Sequence, residues 1–77
     1  MPKYNPDPTN LEKARRAARL TRKKFAELSG VSMRTIAGYE QRRKNINNAR
    51  AVIVSDLADA LGVPVRTILN PRTEDDD

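Results

Sequence analysis

This 77-residue sequence predicts an all-α fold of five helices. Three observations point to it. Residues with N-capping chemistry stand ahead of apolar stretches at Thr9, Thr21, Ser32 and Asn47. Glycines fall where helices need to stop, at Gly30 and Gly62. Between these signals apolar residues recur at helical spacing, and no stretch reads as a strand.

Residues 1–8, MPKYNPDP, carry three prolines and no apolar period, and predict an extended arm. Thr9-Asn10-Leu11-Glu12 has the form of a capping box, in which the Thr hydroxyl and the Glu side chain each satisfy a free backbone amide. The first helix is therefore expected to start there and run to about Arg19. Leu11, Ala14 and Ala18 recur on one side, with Lys13, Arg16 and Arg19 away from it. Thr21 is the expected cap of a second helix ending at Leu28 or Ser29, with Phe25, Ala26 and Leu28 inward. Gly30 suits a left-handed stop.

Ser32 is expected to cap a third helix with Ile36 and Tyr39 inward. At 100° per residue, Arg34, Ala37, Gly38 and Gln41 fall on the opposite, exposed side. Residues 42–46 read as a basic loop. Asn47 is the expected cap of a fourth helix reaching Leu61, with Ile53, Val54, Leu57, Ala58 and Leu61 inward. Val52 falls on its polar side with Ser55 and Asp59. Gly62 ends that helix, and Pro64 fits the first position of a short fifth helix, Val65 to Leu69. The organisation is then an arm over 1–8, one domain over 9–70, and an acidic tail over 71–77 that is expected to be disordered.

Composition narrows the function classes. The absence of Cys removes disulfides and thiolate metal sites. The absence of His removes the commonest general base and metal ligand. The acids Asp75 to Asp77 could attract Mg²⁺, but a flexible tail does not hold octahedral geometry. No metal, no cofactor and no enzymatic activity are expected. No apolar run approaches the roughly 20 residues that span a bilayer, and no signal peptide follows Met1. No membrane partner is expected, and a cytoplasmic setting is.

The charge distribution is more pointed than its net value of +5. Setting aside the four acids Glu74 to Asp77 leaves 15 basic against 6 acidic side chains, or +9. From Lys13 to Arg50 there are 12 Lys and Arg and two acids, Glu27 and Glu40. Such a block is the electrostatic footprint of a polyanion partner. The first turn of the second helix holds Arg22, Lys23 and Lys24, against the helix macrodipole, at a cost of about 0.3–1 kcal/mol per charge. A phosphate placed there would meet backbone amides, dipole and cations together.

Two short helices joined by a tight glycine turn form a helix-turn-helix pattern. The stretch LTRKKFAELSGVSMRTIAGYE, Leu20 to Glu40, resembles the two-helix motif of the Cro and lambda-repressor-like helix-turn-helix family, and LADALGVPVRTIL resembles its closing helices. The likeness extends from Leu11 to Leu69. Its most diagnostic parts are Ala26, Gly30-Val31-Ser32, Thr35-Ile36, Glu40 and Leu61-Gly62-Val63.

The resemblance implies sequence-specific binding of double-stranded DNA, with the third helix in the major groove. It places Met33, Arg34 and Gly38 at base-reading positions, with Ser32 at the mouth of the groove. It places Gln41, Arg42, Arg43 and Lys44 at phosphate-contacting positions. Arg22, Lys23 and Thr35 are expected beside those phosphates. Arg22 stands where many relatives carry a glutamine that contacts phosphate and braces the first recognition residue, so this bracing is absent here. Gln41-Arg42-Arg43 likewise replaces the usual glycine turn. Arg15 matches a position that pairs with Glu40, which implies a structural ion pair between the first and third helices. At Gly38 the missing side chain would let the helix approach DNA closely.

The expected role is a small transcriptional repressor or regulator, bacterial or phage-encoded, acting as a homodimer on a palindromic operator. No effector domain is expected, so regulation would come through expression, dimerisation or a separate partner. Val52, Val65 and Leu69 are the apolar candidates for the dimer contact. The rival reading is an antitoxin-type interaction module with a cognate toxin as partner, whose DNA binding is autoregulatory.

Overall fold

In a computed structural model, residues 7–71 are described. The expected acidic tail beyond Pro71 and most of the expected arm, residues 1–6, lie outside them. Among the described residues there are five α-helices and one short 3-10 helix. These are α1 (Asn10–Ala17), α2 (Arg22–Ser29), α3 (Met33–Glu40), the 3-10 helix Ile46–Asn48, α4 (Ala51–Leu61) and α5 (Val65–Ile68).

The first three helix starts follow their capping chemistry. Thr9, Thr21 and Ser32 are extended, and each hydroxyl accepts the amide three residues on, from Glu12, Lys24 and Thr35 at 3.1–3.2 Å. Such a cap contributes about 1 kcal/mol. The Glu12 carboxylate pairs forward with Arg16 at 2.6 Å. Gly30 and Gly62 end α2 and α4 with φ of 74° and 69°, in the left-handed region that side chains disfavour.

The core joins all the helices. Leu11, Phe25, Ile36, Ile46, Leu57 and Ile68 are almost wholly buried. α2 packs against α3 and α4, and α1 crosses to α5 and α3. The α2–α3 pair is thereby seated on a base of α1, α4 and α5.

Five local expectations are corrected. Ala18 is exposed, because α1 ends at Ala17 and the chain turns through Arg19 at φ 61°. Arg15, one turn after Leu11, fills the inner position instead. Leu28 is half exposed. Successive residues differ by 100°, so Leu28 lies about 160° from Ala26, and one face cannot bury both. Asn47 does not cap α4. It lies in the 3-10 helix, and its side chain pairs with the backbone N–H and C=O of Asn70 at 2.9 and 3.0 Å. Residues 42–45 form the expected loop, burial of Ile46 draws only its last residue into that helix, and α4 starts at Ala51 with no side-chain cap. Pro64 precedes α5 as its cap residue rather than its first residue. Gly38, expected on the exposed side, is buried.

Candidate nucleic-acid interface

The site is built around a buried carboxylate. Glu40 ends α3 with its side chain fully excluded from solvent, and it is held by two arginines. Arg15 of α1 donates from Nε to Oε2 at 2.7 Å and from Nη2 to Oε1 at 3.1 Å, the two-pronged geometry that suits a guanidinium. Its remaining Nη1 donates to the Leu20 carbonyl at 2.7 Å. Arg22 of α2 donates from Nε to Oε1 at 2.8 Å. The expected Arg15–Glu40 pair is thus present and locks α1 to α3. The Arg22–Glu40 pair went unforeseen, because 18 residues separate the partners and α2–α3 packing brings them together.

Arg22 therefore has two aspects. Its Nε is committed inward, and its side chain stays about one-third exposed, with Lys23 and Lys24 wholly at the surface beside it. Lys24 has a loose contact with Glu27 at 3.8 Å, of the exposed kind that adds little stability. The first turn of α2 keeps its cationic character, while one of its three charges is balanced from below.

The start of α3 is open. Met33 is half exposed, and Ser32 and Arg34 are exposed. The Ser32 hydroxyl is engaged locally, accepting from the Thr35 amide and donating to the Thr35 hydroxyl at 2.8 Å. Thr35 is half-buried. Ser32, Met33 and Arg34 thus stand together at the open start of α3, while Arg22 contacts this helix through Glu40 at its end.

The end of α3 is closed in an unusual way. The Gly38 carbonyl accepts both the Arg43 and Lys44 amides, at 2.9 and 3.1 Å, and the chain reverses through Arg42 at φ 64°. This is the wrap normally assigned to glycine, performed here by an arginine. The turn presents Gln41, Arg42, Arg43 and Lys44, all exposed. The Arg43 guanidinium donates to the Gln41 side chain, and that of Arg42 donates to the Asp7 carbonyl at 3.0 Å. Lys44 folds back, and its stem covers Gly38.

Chemically, the α2–α3 unit combines a cationic helix start, a cationic turn and an exposed helix start carrying one fork-shaped donor and one apolar side chain. The cations suit a polyanion, and the fork-shaped donor suits hydrogen-bonding edges. Among the described residues no acidic cluster is arranged to hold a metal ion, and no helix is long and apolar enough to cross a membrane.

A family model for the helix-turn-helix matches residues 11–68, a span that reaches from α1 to α5. No curated protein and no solved structure matches the chain.

Proposed function

The chain belongs to the helix-turn-helix family, whose members are DNA-binding transcription regulators, and on that premise we propose that it is a sequence-specific repressor acting as a dimer on a palindromic operator. The observation that carries the reading is the open α3 face of Met33 and Arg34, in one unit with the cationic α2 start Arg22 to Lys24 and the exposed turn Gln41 to Lys44. In this reading α3 lies in the major groove. Arg34 reads a guanine edge through its paired donors, and Met33 contacts a thymine methyl. Ser32 stands at the groove mouth, with its hydroxyl retained for the cap. Arg22, Lys23, Thr35, Gln41, Arg42 and Arg43 contact phosphates and set the register. The role carries no catalytic step and no cofactor.

A single module of this size reads one half-site, and two modules related by a two-fold axis read half-sites about one helical turn apart. Val52 and Val65, 60% and 40% exposed, support a contact between copies through α4 and α5. Leu69 is partly buried against the core and contributes less.

The test is selection of bound duplexes from a randomised pool, followed by binding at several salt concentrations. The reading predicts an inverted repeat with half-sites about 10 base pairs apart and two chains per site. A selected pool with no shared sequence would rule out specific recognition. A single unrepeated site with one chain bound would rule out the dimer.

A further inference from the structure

Gly38 lies about one turn after Arg34 on the same side of α3, where a recognition helix has a side chain to offer. Nothing extends from Gly38 itself. Its place is taken by a side chain from outside the helix. A Cβ built on Gly38 would stand 3.6, 3.5 and 3.8 Å from Cγ, Cδ and Cε of Lys44. The Lys44 stem thus lies across the α3 surface where a residue-38 side chain would begin. It is held there by the main chain, since the Lys44 amide donates to the Gly38 carbonyl at 3.1 Å. The ammonium is one C–N bond past Cε, and so it sits within reach of the same groove-facing zone.

The three cations of the turn differ in what their head groups do. Arg42 donates to the Asp7 carbonyl and Arg43 to the Gln41 side chain. Among the described residues the Lys44 ammonium has no hydrogen-bond or ion-pair partner. An ammonium whose stem lies over α3 is a donor with no acceptor of its own. The acceptor pair that suits Lys in the major groove is guanine O6 and N7.

We propose that Lys44 is a base-reading residue, which supplies from the turn the donor that Gly38 omits from the helix, and that it sets preference at a base pair next to the one read by Arg34. The inference rests on the DNA-binding reading above and departs from the phosphate role that family resemblance implies for Lys44. A small residue at 38 follows from this arrangement. An alanine Cβ would make ordinary contact with the stem at 3.5 Å, whereas a bulky side chain would compete with it for the same space.

The test uses the full chain, the duplex it selects from a randomised pool, single-base variants of that duplex, and a random-sequence duplex, all at one salt concentration. Lys44→Met keeps a flexible apolar stem over Gly38 and removes the charge. Its affinity for the selected duplex should fall about tenfold, its affinity for random duplex no more than about threefold, and its preference at one base pair should vanish. Gly38→Leu, which keeps the lysine and displaces its stem, should erase preference at the same base pair. Circular dichroism melting checks that both variants fold. Equal losses on selected and random duplex for Lys44→Met, with every base preference intact, would overturn the proposal and make Lys44 a phosphate contact. A wild-type chain that prefers no duplex would instead overturn the reading on which the proposal rests.

Discussion

The two flanks of α3 belong to one eight-residue helix and are built on opposite rules. Its inner flank carries Ile36, Tyr39 and Glu40, all buried, and its polar group is saturated by two arginines. Its outer flank carries Met33 and Arg34, with no hydrogen-bonding partner for the Arg34 guanidinium among the described residues. The contrast teaches that position and readout can be assigned to different residues of one helix. The buried flank fixes where α3 lies, and the open flank is free to vary without unfolding the domain.

That division predicts a descending series of effects. The largest belongs to the inner flank. Glu40→Ala leaves Arg15 buried without its counter-charge, and breaking a buried pair in this way costs about 3–5 kcal/mol. In a domain of this size such a loss approaches the whole stability. Urea denaturation should show the variant largely unfolded at room temperature, and a midpoint close to wild type would remove Glu40 as the anchor. Within the same cluster, Arg22→Ala should cost about 1 kcal/mol or less, because its side chain is one-third exposed and Arg15 still satisfies the carboxylate. Equal destabilisation by Arg15→Ala and Arg22→Ala would erase the distinction between lock and brace.

The next effect belongs to the outer flank and should appear only in binding. Arg34→Ala should leave the melting temperature within a degree or two of wild type, since it removes no buried contact. It should cost about 1–3 kcal/mol on the selected duplex and relax preference at one guanine. Anisotropy titrations on selected and random duplexes check this, and a matching loss on both would make Arg34 a phosphate contact.

How far the sequence discloses this division depends on the range of each interaction. Thr9, Thr21 and Ser32 are legible because a cap acts over three residues, and Gly30 and Gly62 because a left-handed stop is a property of one residue. The Arg15–Glu40 tie was accessible only through family resemblance, since nothing local links positions 25 apart. Arg22 was read by its place at a helix start, and its second partner depends on how α2 packs on α3. Asn47 has the look of a cap because it stands before an apolar run, yet its partner is Asn70, 23 residues later. Helical angle and family resemblance both place Gly38 on the open face. The wheel gives the direction of a Cβ and is blind to a lysine that returns over it from the following turn.

The smallest effect concerns the point where the flanks meet. Arg42 holds φ at 64°, where a residue with a Cβ is disfavoured by roughly 1–2 kcal/mol and glycine is not. Arg42→Gly should raise stability by up to about 1 kcal/mol once the greater freedom of glycine in the unfolded chain is set against it. It should also weaken binding to all duplexes alike and lower the salt slope by about one. Opposite signs in stability and binding from one substitution would mark the turn as shaped for its charge. A loss of stability would mean that the Arg42–Asp7 contact outweighs the backbone strain.

In the proposed reading the α2–α3 surface, and not the α4–α5 surface, meets DNA. Titration of the ¹⁵N-labelled chain with the selected duplex, followed amide by amide, tests it most directly. The account predicts the largest shifts at Arg22 to Lys24, Ser32 to Arg34 and Gly38 to Lys44. Amides around Val52 and Val65 should change only as far as two chains come together. Shifts concentrated in α4 and α5, with the first turns of α2 and α3 silent, would contradict it.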